Sequence, residues 1–94
     1  MSKLRKSAWG RECQVRIPGV CSHNPETVVL AHLNGGGMGR KHPDIHAAFA
    51  CSACHAEIDR RTRRVDAHDA RMWHLDGIIR TQAIWLAEGL IKCA

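Results

Sequence analysis

Cys51-Ser52-Ala53-Cys54-His55 is the stretch on which the reading of this chain turns. Two thiols three positions apart reach one tetrahedral metal from a knuckle or from the first turn of a helix. An imidazole follows the second thiol at once. Upstream, Cys13 and Cys21 can supply the other two ligands, which makes four thiols for one closed zinc site. Seven residues separate Cys13 from Cys21, a wider spacing than a compact knuckle uses, and His23 stands close enough in sequence to replace Cys21. Downstream, Ala56-Glu57-Ile58-Asp59-Arg60-Arg61 is a good helix former. His55 and Asp59 would lie one turn apart on the same face of that helix.

The 94 residues suit one small domain, residues 1–94. A chain of this length buries only about two-thirds of its unfolded surface. One Phe, no Tyr and three Trp leave a thin aromatic core, so a staple is expected, and five cysteines offer one. The opening Met1-Ser-Lys-Leu-Arg-Lys6 has no apolar run behind it and is not expected to be a signal peptide. No stretch reaches the ~18 apolar residues of a membrane span. A cytoplasmic setting is therefore expected, and there paired cysteines favour metal over disulfide. Zinc binding contributes on the order of 10 kcal/mol to the folding of small domains.

The formal net charge is +5 with histidine neutral. Basic residues cluster in the arm 1–12, at Arg40/Lys41, and at Arg60/Arg61/Arg63/Arg64. Such clusters suit a phosphate backbone, or simply a well-solvated surface. The interleaved aromatic residues of single-strand binders are missing.

Residues 1–12 read as a basic arm or short helix, with Trp9 as a packing residue. Cys13-Gln-Val-Arg-Ile-Pro-Gly-Val-Cys21 reads as a strand entering a turn at Pro18-Gly19. Thr27–Leu33 is the clearest strand, with His32 near its end. Residues 34–39 form a glycine-rich connection without the Lys-Ser/Thr of a phosphate-binding loop. Ala47-Ala-Phe-Ala50 leads into Cys51, which gives strand, loop, return strand and cysteine-started helix around a metal. Asp66 or Asp69 can cap a last helix over 66–89, amphipathic through Ala70, Trp73, Ile78 with Ile79, Ile84 and Leu86. Gly77 interrupts it mildly, Gly89 stops it, and Trp73 and Trp85 pack. His68 and His74 read as surface residues, and Cys93 as a spare thiol.

Hydrolysis of a phosphodiester needs an activated water and charge stabilisation at the phosphate. A neutral histidine can be the base, and a divalent metal can clamp phosphate and leaving group. A strand-borne His32 facing a helix-borne His55, with an acidic or amide residue between, can hold both.

Cys13…Cys21, Ala31-His32, Asp44-Ile-His46 and Cys51-x-x-Cys54-His55 resemble the HNH nucleases of the zinc-bearing, treble-clef type. More closely, residues 11–21, Ala31-His32, 50–55, 57–62 and 80–89 look like the YbcO family of prophage-encoded nucleases. The resemblance spans nearly the whole chain. It implies an α+β fold, a small HNH-like ββα-metal domain with an added C-terminal amphipathic helix, encoded by a phage or prophage. It also implies a metal-dependent endonuclease acting on DNA, with structural zinc on Cys13, Cys21, Cys51 and Cys54. His32 then matches the general base and His55 the ligand of a catalytic metal such as Mg or Mn. The middle position falls on His46, or on Asp44 if the loop is shifted. Asp59 is a further ligand suggested by its helical spacing to His55. Arg60, Arg61, Arg63 and Arg64, with Arg40 and Lys41, would contact the nucleic acid. HNH nucleases usually carry Asp or His just before the base, and here that residue is Ala31. A second reading of different class is a non-catalytic zinc module that binds DNA or a phage replication or recombination protein. A homodimer suits an enzyme that cuts both strands.

Overall fold

The computed structural model describes residues 3–33 and 43–92. The described elements run α1 (Lys3–Ser7), β1 (Val29–His32), β2 (Ala47–Ala50), α2 (Ser52–Ile58) and α3 (Ala67–Ala87), with single 3₁₀ turns at Pro25–Thr27 and Asp44–His46. The architecture is α+β. The glycine-rich connection, Arg40, Lys41 and Cys93 lie outside the described residues.

The two strands pair antiparallel, with Val29 opposite Ala50 and His32 opposite Ala47. All four residues of β2 are buried, so neither face of this strand meets water. Three of the four are alanines, which lets helices approach the sheet closely. Phe49, the exception, meets Trp85 of α3 edge to face at 5.7 Å between ring centroids. The edge of β2 that β1 does not cover is also satisfied. The Phe49 amide donates to Thr81 Oγ1 at 3.1 Å. The Phe49 carbonyl accepts the Gln14 amide at 2.7 Å. Buried backbone polar groups need such partners, and here they come from α3 and from the cysteine segment.

That segment is not the strand expected over Cys13–Ile17. Arg16 adopts a φ of +55°, which breaks the extended backbone. Its guanidinium Nε donates to the Cys13 carbonyl at 3.0 Å, holding the bend. The chain then turns through Pro18-Gly19, and the Cys21 amide donates to the Ile17 carbonyl at 2.9 Å. Val15 and Ile17 are fully buried by this path.

Two expectations about aromatic and helical packing also change. Trp9 is 58% exposed, while its neighbour Ala8 is fully buried. α1 is tied down instead through Ser7, whose Oγ accepts the Trp85 Nε1–H at 2.8 Å. α3 starts where Asp66 caps it, its carboxylate accepting the Asp69 amide at 2.7 Å. Its buried stripe is Ala70, His74, Gly77, Ile78, Thr81 and Trp85. Ile79 and Leu86, expected on the core side, face solvent, with Ile79 at 65% exposure. The stripe rotates this way because Gly77 is a contact point. A Cβ at Gly77 would stand 2.9 Å from Val15 Cγ2, 3.0 Å from Val15 Cα and 3.1 Å from the Gln14 carbonyl oxygen.

Gly77→Ala therefore sets a helix-propensity gain of up to ~1 kcal/mol against an overpacking cost of about 1–3 kcal/mol. The expected outcome is net destabilisation, because two of the three close atoms belong to backbone. Urea unfolding of the two proteins, compared by midpoint, checks it.

Candidate functional site

Cys51 is the N-cap of α2, its sulfur accepting the Cys54 amide at 3.5 Å. It also accepts the Ser22 amide at 3.4 Å. The cap brings Cys51 and Cys54 to one end of the helix, and the Cys13–Cys21 bend brings the other two thiols there. All four sulfur atoms lie within 4.8 Å of one another, and the cluster could hold a metal ion such as zinc. The donor set fits that ion. Cys13, Cys51 and Cys54 are buried and Cys21 is half-buried. The Cys54 thiol shares its proton with Cys13, which lowers Cys13 to about 4 and raises Cys54. Cys21 is pushed up to about 11, first by burial and then by the neighbouring sulfurs. Thiolates crowded in this way oppose one another until a dication joins them. The amides aimed at the sulfurs support the deprotonated state that a metal needs. The cluster includes Cys21, with His23 beside it. Its Nδ1 lies 3.7 Å from the Cys21 sulfur, in the exposed loop beyond it.

The histidines form two separate pairs with carboxylates. At the end of β1, His32 Nε2 lies 2.6 Å from Asp44 Oδ1. The 3₁₀ turn Asp44–His46 makes this contact, and the Leu33 amide fastens the turn to the strand by donating to the His46 carbonyl at 2.9 Å. Of the two residues proposed for the middle position, Asp44 makes this contact with His32. His46 is exposed. Arg5 of α1 adds a cation 3.5 Å from Asp44, a residue that the reading of the sequence had placed only in a basic arm. On α2, His55 Nε2 lies 3.2 Å from Asp59 Oδ2, the one-turn spacing expected. Arg61 Nη2 approaches the same Asp59 oxygen at 3.6 Å.

His74 is a correction. It is not on the surface but 2% exposed, and its Nε2–H donates to the Ala31 carbonyl at 2.9 Å. Burial pushes its pKa below the ordinary histidine value. The Ala31 carbonyl and Asp59 act against that shift, while the charges of His55 and Arg71 add to it. His74 thus anchors the strand that carries His32 and stands in the field of the His55–Asp59 pair. With Leu33, Ile58, Arg60 and Arg71 it lines an open cleft of about 220 Å³. No apolar period marks His74 in the sequence, because its partner is a main-chain carbonyl 43 residues away.

Glu57 was also missed. It is fully buried, and its carboxylate is held below the usual range, first by the Thr62 hydroxyl and then by the Val65 amide. Arg60 points inward to it, whereas Arg61, Arg63 and Arg64 are exposed.

The family model for "Putative nuclease YbcO" matches residues 2–90. The chain belongs to the YbcO family. Among curated members, "Putative nuclease YbcO" of Escherichia coli K12 is 62% identical over 95 residues, covering 98% of this chain and 99% of that protein. "Putative nuclease ybcO" of Enterobacteria phage 82 matches to the same extent. A solved YbcO-like fold, titled "Structure of a putative bacteriophage protein from Escherichia coli str. K-12 substr. MG1655", superposes with a TM-score of 0.82 at 63% identity. It covers 93% of this chain and 100% of that one. Among the described residues no helix is long and apolar enough to cross a membrane.

Two outcomes follow for this member of the YbcO family. Chelation at neutral pH should abolish its cooperative melting transition, since a structural zinc ion contributes about 10–16 kcal/mol in small domains. Circular dichroism with and without chelator, beside metal analysis of the untreated protein, checks this. His74 should make stability depend on pH. Its pKa is depressed in the fold, so its stabilising contribution is present above the ordinary value of 6.5 and is lost as pH falls. The melting-temperature advantage of the wild type over His74→Gln should shrink between about pH 7.5 and about pH 5.5.

Proposed function

We propose that the chain is a metal-dependent endonuclease of HNH type, hydrolysing phosphodiester bonds in DNA, with His32 as general base. The observation that carries this reading is the 2.6 Å contact between His32 Nε2 and Asp44. Asp44 accepts a hydrogen bond from Nε2–H, which holds the tautomer whose Nδ1 lone pair is free to accept a proton from water. Arg5 beside Asp44 keeps that carboxylate in place and adds positive potential where a phosphate would arrive. The order β1, β2, α2 supports a ββα reading, and the cysteine cluster at the start of α2 supports a treble-clef one.

His55 and Asp59 are the residues that would hold a catalytic divalent metal such as Mg or Mn. When bound, that ion would stabilise charge on the phosphate and the leaving oxygen. The imidazole and carboxylate already sit one helical turn apart, and the carboxylate is the donor of the two that suits such a hard ion. The zinc on Cys13, Cys21, Cys51 and Cys54 has a different job, which is to fix the start of the helix that carries His55.

One observation favours the second reading, a zinc module that binds DNA or a phage protein without cutting. Ala31 is fully buried, so the position before His32 faces the core. A carboxylate there could not reach a metal without leaving its place in the sheet. Asp44 and Asp59 would have to supply what Ala31 lacks.

Nicking of supercoiled plasmid with added magnesium or manganese distinguishes the readings. His32→Ala should cut about a hundredfold to ten-thousandfold more slowly than the wild type, at unchanged zinc content. Asp44→Asn should fall between the two, since the amide can still accept the Nε2 proton but carries no charge. A wild type that binds DNA and never nicks it, with either metal, would leave the zinc module as the function.

A further inference from the structure

We infer that the segment from Asp59 to Val65 is a pre-formed loop for the nucleic-acid backbone, with Glu57 as its positioning residue and Arg61, Arg63 and Arg64 as its phosphate contacts. This rests on the nucleic-acid reading above, but not on cleavage.

The loop is closed around a buried carboxylate. Glu57, in the last turn of α2, has no exposed surface. Its Oε1 accepts the Thr62 hydroxyl at 2.6 Å. Its Oε2 accepts the Val65 amide at 3.0 Å and Arg60 Nη1 at 3.4 Å. Arg60 Nη1 also donates to the Val65 carbonyl at 3.0 Å, so one guanidinium joins both ends of the loop. The Arg61 and Thr62 amides both donate to the Ala56 carbonyl, at 2.9 and 3.3 Å. Arg60 takes a left-handed φ of +61°, a conformation that a non-glycine residue holds only when its surroundings fix it.

Such a build sorts the four arginines. Arg60 is internal, and its charge answers Glu57. Arg61, Arg63 and Arg64 are exposed, with the Arg61 side chain at 64%. A merely solubilising surface needs no buried carboxylate beneath it. Like charges this close repel one another and would spread in a flexible chain. Here the backbone that carries them is tied down before any partner arrives, which reduces the ordering cost of binding. Guanidinium groups match phosphate oxygens by paired hydrogen bonds. Through Asp59, Arg61 also stands next to His55, so a strand gripped by this loop would run past the second histidine–carboxylate pair.

The test is a double-mutant cycle read by binding alone. Full-length protein with its zinc retained, and no other divalent metal added, is titrated into a fluorescein-labelled 20-base-pair duplex (a length of about two helical turns), at several KCl concentrations. Removing Arg61, Arg63 and Arg64 together should reduce the slope of log affinity against log salt by about one per arginine. Glu57→Gln and the milder Thr62→Val should each weaken binding about tenfold. Those losses should nearly vanish in the background lacking the three arginines, because Glu57 acts only through them. Thr62→Val, which removes a single hydroxyl at an exposed position, guards against a Glu57 variant that fails to fold. Wild-type affinity in both single variants overturns the inference, as does a loss that adds in full to that of the triple variant. So does a wild type with no affinity for the duplex. Plasmid nicking without the coupling would keep the nuclease reading and remove this one. Coupling without nicking would do the reverse.

Discussion

Four cysteine sulfurs within 4.8 Å of one another are the constraint from which the rest of the chain takes its shape. They join three pieces that have little reason to meet otherwise: the bend at Cys13–Cys21, the end of β2, and the first turn of α2. Among the described residues the sheet has two strands, and an isolated pair of strands is marginal in water. Left as thiols and thiolates, the cluster opposes itself, with Cys13 driven down and Cys54 driven up by the same shared proton. A dication held among the four sulfurs would offset the repulsion between thiolates. The cysteine bend also carries Val15 and Ile17 into the core, so the sulfur cluster and the hydrophobic packing depend on each other.

From that node the site residues follow by short steps. Cys54 belongs to the sulfur cluster, and His55 next to it on α2 is instead met by Asp59 one turn later. β2 ends at Ala50, directly before Cys51, and its register with β1 sets His32 opposite Ala47. The Asp44–His46 turn leads into the same strand, which brings Asp44 to His32. His74 closes the arrangement from α3, holding the backbone just before His32. The two histidine–carboxylate pairs are thus placed by elements that share a small alanine-rich strand and one cysteine-capped helix.

The parts that were legible in the sequence were those with local causes. The Cys51–Cys54 spacing, the strand through Ala31, the Asp66 cap and the one-turn relation of His55 to Asp59 each depend on neighbours a few residues away. What escaped was decided at long range. Arg16 breaks an apparent strand because Cys13 must turn back toward Cys51. His74, Gly77 and Thr81 take core positions on α3 although none is apolar. Two of them satisfy backbone groups of the sheet, and the third makes room for Val15. A stripe drawn through apolar residues alone finds Ala70, Trp73, Ile78 and Ile84 but also takes in the exposed Ile79 and Leu86. Glu57 and Thr62 gave no signal either, since a carboxylate on a short helix is normally a solvated residue, and only the returning chain buries it.

The carboxylates of this basic chain share a pattern that links stability to function. Asp44 lies between His32 and Arg5, Asp59 between His55 and Arg61, and Glu57 between Arg60 and the Val65 amide. Each holds a cation or an imidazole in a set position rather than merely lowering the net charge. With a net charge of +5, unpaired arginines would push one another outward and leave the basic surface without a defined geometry. Acidic residues placed behind the basic ones let the chain keep a positive surface and a defined geometry together. A chain that cannot build a large core cannot hold long side chains by packing alone. It holds them by charge, on a frame that the cysteines have already fixed.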